Sequence, residues 1–143
     1  MGNSIFQVTF GSTVETAQGV LREALGTIER CGWIHGEEER FSFWLCLDEA
    51  LCNAVHHGNR DNPDLKVGLE LFEDGPVGRI AVQDEGGGFD PENMEMPGPE
   101  ALSGRGVCLI RHYADRVWYD RAKRCLMMEF SLGTVGGREP QGE

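Results

Sequence analysis

The sequence predicts an α+β fold: a two-layer sandwich with about three helices on one face of a mixed, mostly antiparallel sheet. Two observations point there. Hydrophobic periodicity along the chain runs β-α-α-β-β-(long loop)-α-β-β, which holds more strands than simple β-α-β crossovers would supply. Two neighbouring pairs of alternating segments are also separated by turn residues, so two hairpins are expected.

The elements follow in order. Residues 5–10 alternate, with Phe6, Val8 and Phe10 on one side of a half-buried strand. Ser12-Thr13-Val14-Glu15 reads as a capping box. Val14, Ala17, Leu21, Ala24, Leu25 and Ile28 then recur at helical spacing up to Cys31-Gly32, where glycine permits a left-handed cap. Glu37, Glu38 and Glu39 suit the positive end of a second helix that closes by Gly58. Phe43, Trp44, Leu47, Leu51, Ala54 and Val55 form its expected core side. Asn59 to Pro63 is rich in turn residues. Val67, Leu69 and Leu71 mark a strand, Glu73-Asp74-Gly75-Pro76 a turn, and Val77 to Gln83 the returning strand. From Asp84 to Ser103 the pattern gives way to Gly, Pro and acidic residues, a loop long enough to suggest function. Val107, Ile110 and Ala114 indicate a short helix, and Val117 and Tyr119 a strand. Arg121-Ala122-Lys123 turns the chain into a last strand with Leu126, Met128, Phe130 and Leu132 alternating. One domain over 1–133 and a flexible polar tail over 134–143 are expected.

Composition narrows the functional classes. The 143 residues are 40% hydrophobic and 26% charged, ordinary values for a globular chain with a real core. A net charge of −11 argues against nucleic acid and against an anionic membrane, and favours a basic partner surface or an anion held locally. Cys31, Cys46, Cys52, Cys108 and Cys125 are odd in number and lack a C-x-x-C spacing, which fits small core residues in a reducing compartment. No signal peptide and no membrane-spanning run is read, so a cytoplasmic location is expected.

Three motifs point to chemistry. In Asp48-Glu49-Ala50-Leu51-Cys52-Asn53-Ala54-Val55-His56-His57-Gly58, the residues Glu49, Asn53 and His57 stand four apart, on one stripe of an α-helix. A carboxylate and a carboxamide one turn apart suit a hard cation and its phosphate ligands. Asp84-Glu85-Gly86-Gly87-Gly88 leaves the end of a strand, where glycines admit a ligand close to the backbone and an Asp can accept from an exocyclic amine. Ser103-Gly104-Arg105-Gly106-Val107 opens a helix whose free N–H groups, with the Arg105 fork, suit an anion. Neither a P-loop Gly-Lys-Ser/Thr nor a Rossmann fingerprint occurs. Each motif alone also has a bland reading: a solvated helix face, an acidic turn, a hinge before a helix. Their joint occurrence, each in the local structure its chemistry needs, is the stronger signal.

Together these motifs resemble the anti-sigma factor serine kinases of bacteria, within the ATPase superfamily that includes gyrase and the histidine kinases. The resemblance runs from about the first strand to Leu132. Glu49-Ala50, Asn53-Ala54 and His57-Gly58 match the N-box. Asp84, Gly86 and Gly88 match the first glycine box, and Gly104, Gly106 and Val107 the second. Asp115-Arg116-Val117 resembles a recurring Asp-x-Val. The resemblance implies a Bergerat-type ATP-binding fold and a set of roles. Asn53 would hold Mg2+, with His57 at the pocket wall. Asp84 would accept from the adenine amine, Gly86 and Gly88 would line the base pocket, and Gly104, Arg105, Gly106 and Val107 would cradle phosphates beneath a lid over 89–103. Glu49 would be the general base, ionised beside the cation at neutral pH. Histidine kinases usually carry Asn at the position of Glu49 and Lys at that of His57, which favours the compact serine-kinase branch.

The expected function is therefore an ATP- and Mg2+-dependent serine/threonine-protein kinase of a partner-switching system. It would phosphorylate an anti-sigma factor antagonist and sequester a sigma factor. The alternatives are a nucleotide-gated binding module with little kinase activity and an adaptor with a degenerate pocket. The segment Phe89–Ser103 contains Asp90, Glu92, Glu95 and Glu100 but no Lys or Arg, so charge on the transferred phosphoryl group would fall to Mg2+, backbone N–H groups and Arg105. A homodimer through the first strand, using Phe6, Val8, Phe10 and Trp33, is a further expectation, set against a core role for most of them.

Overall fold

In a computed structural model the chain is described over residues 2–86 and 109–133. Strand β1 (Asn3–Gly11) leads to α1 (Val14–Arg30) and α2 (Glu37–Asn53), which continues into a π-helical turn over Ala54–Gly58. Strands β2 (Lys66–Asp74) and β3 (Val77–Gln83) follow, then a short helix at 109–113, β4 (Arg116–Asp120) and β5 (Cys125–Ser131). The five strands lie in the order β1-β2-β3-β5-β4, and each neighbouring pair is antiparallel. The expected hairpins are β2–β3 and β4–β5.

Alternation along the strands decides the layers. Phe10, Val67, Leu69, Leu71, Ile80, Val82, Leu126, Met128 and Phe130 share one core with Ala17, Leu21, Ala24 and Ile28 of α1 and with Leu47 and Leu51 of α2. Phe43 of α2 sits between Trp33, at 5.7 Å between ring centroids, and Phe130, at 4.6 Å. The aromatic links pin the second helix onto the sheet. The sheet's other face carries polar partners in register: Arg79 reaches Glu129 at 2.9 Å and Asp74 at 3.3 Å, and Arg116 reaches Glu129 at 3.4 Å. Of the residues expected at a dimer contact, Phe10 and Trp33 are buried in this core, and Phe6 and Val8 are half-buried against it.

Three local expectations are corrected. Thr13, not Ser12, caps α1: its Oγ1 accepts from the Thr16 N–H at 3.2 Å. Ser12 is buried, its N–H donating to the Leu65 carbonyl at 3.1 Å and its hydroxyl without a hydrogen-bond partner. Val14 and Trp44 are exposed, Val14 in the first turn of α1 and Trp44 on the side of α2 away from its buried residues. Gly32 does take the left-handed conformation that ends α1 (φ 82). The tail over 134–143 lies outside the described residues.

The two hydroxyls should therefore behave differently. Thr13→Ala is expected to lower stability by about 1 kcal/mol through loss of the cap. Ser12→Ala removes an unpartnered buried hydroxyl and should be neutral or stabilising. Urea denaturation of both variants checks the assignment, and the reverse ranking would restore the cap to Ser12.

Candidate nucleotide site

The site is built where the end of α2 meets the chain leaving β3. Ala50, Leu51, Ala54 and Val55 are held in the core, which fixes the rotation of the helix. Glu49 is then half-buried and Asn53, at 5% exposure, is buried one turn later. His57 is exposed, so the three residues of the expected stripe do not share one environment. The cause is local: the ladder widens from i+4 to i+5 over Ala54–Gly58, with the Asn59 N–H donating to the Ala54 carbonyl at 2.8 Å. Directly after this turn Arg60 (φ 54) and Asp61 (φ 60) both take the left-handed conformation. Each costs about 1–3 kcal/mol in a non-glycine residue. They are tied down by the Asp61 N–H donating to the Val55 carbonyl at 2.8 Å and by the Asp61 carboxylate against His56 Nδ1.

Asp84 follows β3 and is 5% exposed, with Oδ1 accepting from the Gly86 N–H at 3.0 Å. A Cβ on Gly58 would stand 2.3 Å from Asp84 Oδ2, and one on Gly86 would stand 1.8 Å from the Gly58 carbonyl oxygen. Only glycine at both positions lets the two segments approach this closely. Asn59 locks the approach. At 1% exposure, its Oδ1 accepts from the Glu85 N–H at 2.9 Å while its Nδ2 donates to the Lys66 carbonyl at 2.9 Å. Glu85 returns a bond, its carboxylate accepting from the Lys66 N–H at 2.8 Å. In the sequence Asn59 stands as one more turn residue. Its signal was the position immediately after Gly58 at a helix end, which a turn composition also explains.

The residues present fit a cation held jointly with phosphate. Asn53 Nδ2 is buried without a hydrogen-bond partner, an uncommon state for a native amide. Rotating the amide would put its carbonyl oxygen at that position, a hard-cation ligand. Among the described residues no three His, Cys, Asp or Glu side chains gather. Burial first, and then the neighbouring Asp48, raise the Glu49 carboxyl above its ordinary value. A cation beside Glu49 would lower its carboxyl, as the sequence leads one to expect; the protein surroundings alone push the other way. Gly88, Gly104, Arg105, Gly106, Val107 and the expected lid over 89–103 lie outside the described residues.

Burial pushes the Cys46 thiol up to about 12, and the Cys52 and Cys125 thiols up to about 11.

An antiparallel sheet covered by helices, with a helix end pressed against a glycine-bearing strand exit, is the arrangement expected of a nucleotide-binding ATPase domain. The chain belongs to the histidine kinase-like ATPase domain family, whose model matches residues 10–130, and family membership implies ATP as the nucleotide. It is also similar to the serine/threonine-protein kinase BtrW of Bordetella bronchiseptica, 32% identical over 89 residues. The aligned region is 57% of this chain, which spans 62% of that relative's length. Among the described residues no helix is long and apolar enough to cross a membrane.

Two outcomes follow from the junction. Asn59→Ala should lower stability by about 1–3 kcal/mol, because it strands the Glu85 N–H and the Lys66 carbonyl; urea denaturation measures it, and an unchanged midpoint would remove the clamp. Cys46 should resist a thiol reagent such as iodoacetamide in the native state at mildly alkaline pH and react once the chain is unfolded, as peptide mapping would show.

Proposed function

We propose that the protein is an ATP-dependent protein serine/threonine kinase of a bacterial partner-switching system. Its substrate would be a Ser or Thr of an anti-sigma factor antagonist, and in its other state it would hold a sigma factor. The observation that carries this reading is Glu49: a half-buried carboxylate with a raised pKa, one helical turn before the orphaned amide of Asn53. The similarity to a serine/threonine-protein kinase of Bordetella bronchiseptica supports the same class of reaction.

In this reading Glu49 accepts the proton of the attacking hydroxyl, and its raised pKa makes it a better base than a solvated glutamate. The Asn53 carbonyl oxygen would hold Mg2+, and Asp84 would accept from the adenine amine. Gly58 and Gly86 keep side chains out of the junction, and Asn59 holds the Asp84–Gly86 segment against the helix end. Gly104, Arg105, Gly106 and Val107 are assigned to the phosphates, with Gly88 in the base pocket and His57 at its rim. When bound, Mg2+–ATP would supply the phosphoryl group and the cation that screens its charge.

Glu49→Gln should lower phosphoryl transfer to the antagonist by about 10²–10⁴-fold while ATP affinity measured by calorimetry stays within about twofold. Equal transfer rates would remove Glu49 as the base; tight ATP binding by a wild-type protein that never transfers phosphate would favour a nucleotide-gated binding module. Asp84→Asn should weaken ATP binding about 5- to 150-fold, as expected for about 1–3 kcal/mol. The pH dependence has a defined sign. A carboxyl raised in the folded chain binds its proton more tightly there, so its contribution to stability is full below the ordinary glutamate pKa and is lost as pH rises through the raised value. The nucleotide-free Glu49→Gln variant should match wild type in acid and gain stability relative to it above that range, as urea midpoints across pH would record.

A further inference from the structure

The outer side of α2 holds an exposed aromatic patch. Phe41 is 52% exposed and Trp44 38% exposed. Their rings stack at 6.2 Å between centroids and 26° between planes. Phe41 also meets Tyr113 edge-on at 6.3 Å, and Tyr113 meets His112 edge-on at 4.8 Å. The cluster thus joins α2 to the short helix at 109–113, where Leu109 is exposed as well. The same stretch of α2 buries Phe43 in the core, so the helix segregates its aromatics to two sides. Ordered, mutually supported rings facing solvent are what interfaces use as anchors, because their conformational entropy is already lost.

Charge selects the occupant. Glu37, Phe41, Trp44 and Asp48 fall at i, i+4, i+7 and i+11, one stripe of α2 with an acid at each end. Glu37 and Glu38 are exposed and have no ion pair among the described residues, whereas Glu39 is engaged by His35 and Arg40 by Glu29. Arg111, on the short helix, already has a partner. The whole chain carries −11. A second copy is disfavoured in either orientation, since parallel or antiparallel stripes would set acid against acid.

We propose that this patch docks a cationic amphipathic helix of a partner protein, whose apolar stripe covers Phe41, Trp44 and Tyr113 and whose Lys or Arg residues pair with Glu37 and Glu38. The proposed use of this surface does not depend on phosphoryl transfer.

The test is fluorescence anisotropy with a labelled synthetic helical peptide that carries Leu at i, i+3, i+4 and i+7 and Lys on both flanks. The 143-residue chain should bind it, and the Phe41→Ala/Trp44→Ala variant should lose about tenfold or more in affinity with an unchanged urea midpoint. Glu37→Lys/Glu38→Lys should weaken binding and flatten its salt dependence. A twin peptide with Glu in place of Lys should bind far more weakly. The proposal is overturned if the aromatic variant binds like wild type, if the two peptides bind equally, or if neither binds. It is also overturned if sedimentation shows a wild-type dimer that the aromatic variant dissociates, which would make a second copy the occupant. Kinase activity and ATP binding enter none of these readouts, so their failure would leave the result intact.

Discussion

The approach of two backbone segments governs this molecule. Gly58, closing the π turn after α2, lies against Asp84, and Gly86 lies against the Gly58 carbonyl. No side chain fits between them, so the helix layer and the exit from β3 meet without a spacer. The contact converts a helix end and a strand end, each ordinary alone, into the two walls of one site. Asn59 keeps them together by giving both ends of its buried amide to backbone groups on either side, Glu85 and Lys66. A single polar side chain satisfied at both ends fixes geometry in a way apolar packing does not.

That junction works because α2 cannot rotate. Phe43 between Trp33 and Phe130, with Cys46, Leu47, Ala50 and Leu51 beneath, commits one side of the helix to the sheet. Glu49 and Asn53 are consequently carried to the boundary between core and site, deep enough to be partly desolvated. The raised Glu49 pKa is a direct product of this placement, and so is the unmet hydrogen-bond demand of Asn53. Two consecutive left-handed residues, Arg60 and Asp61, complete the turn away from the helix. Strain of this kind persists where surrounding bonds over-determine the backbone, and here the bonds from Asp61 to Val55 and His56 do so.

Much of the fold was legible because its elements obey their own periods. Phe6, Val8 and Phe10, or Leu126, Met128 and Phe130, could only alternate as strands with one covered face. The α1 pattern likewise announced its core residues, although the cap lay one position later than Ser12 because the Ser12 side chain turned inward. The π turn was not legible, since a change from i+4 to i+5 bonding leaves no mark on residue types, and it is what parts His57 from Glu49 and Asn53. Trp44 misled because an exposed tryptophan and a buried one look alike in sequence. Asn59 was hidden for a related reason: its importance comes from two backbone groups that approach only after folding. Motif spacing brought Asp84, Gly58 and Gly86 to notice, and family membership over residues 10–130 agrees with the ATPase fold read from them.

The most direct measurement is the ATP affinity of Gly86→Ala, by calorimetric titration, alongside its cooperative unfolding. An alanine Cβ would collide with backbone rather than with a side chain that can swing away, so the strand exit must move off the helix end. The expected result is a protein that still unfolds cooperatively but binds ATP at least about a hundredfold more weakly, the scale of a lost multi-group contact. A folded Gly86→Ala variant with wild-type affinity would contradict the junction as the nucleotide site.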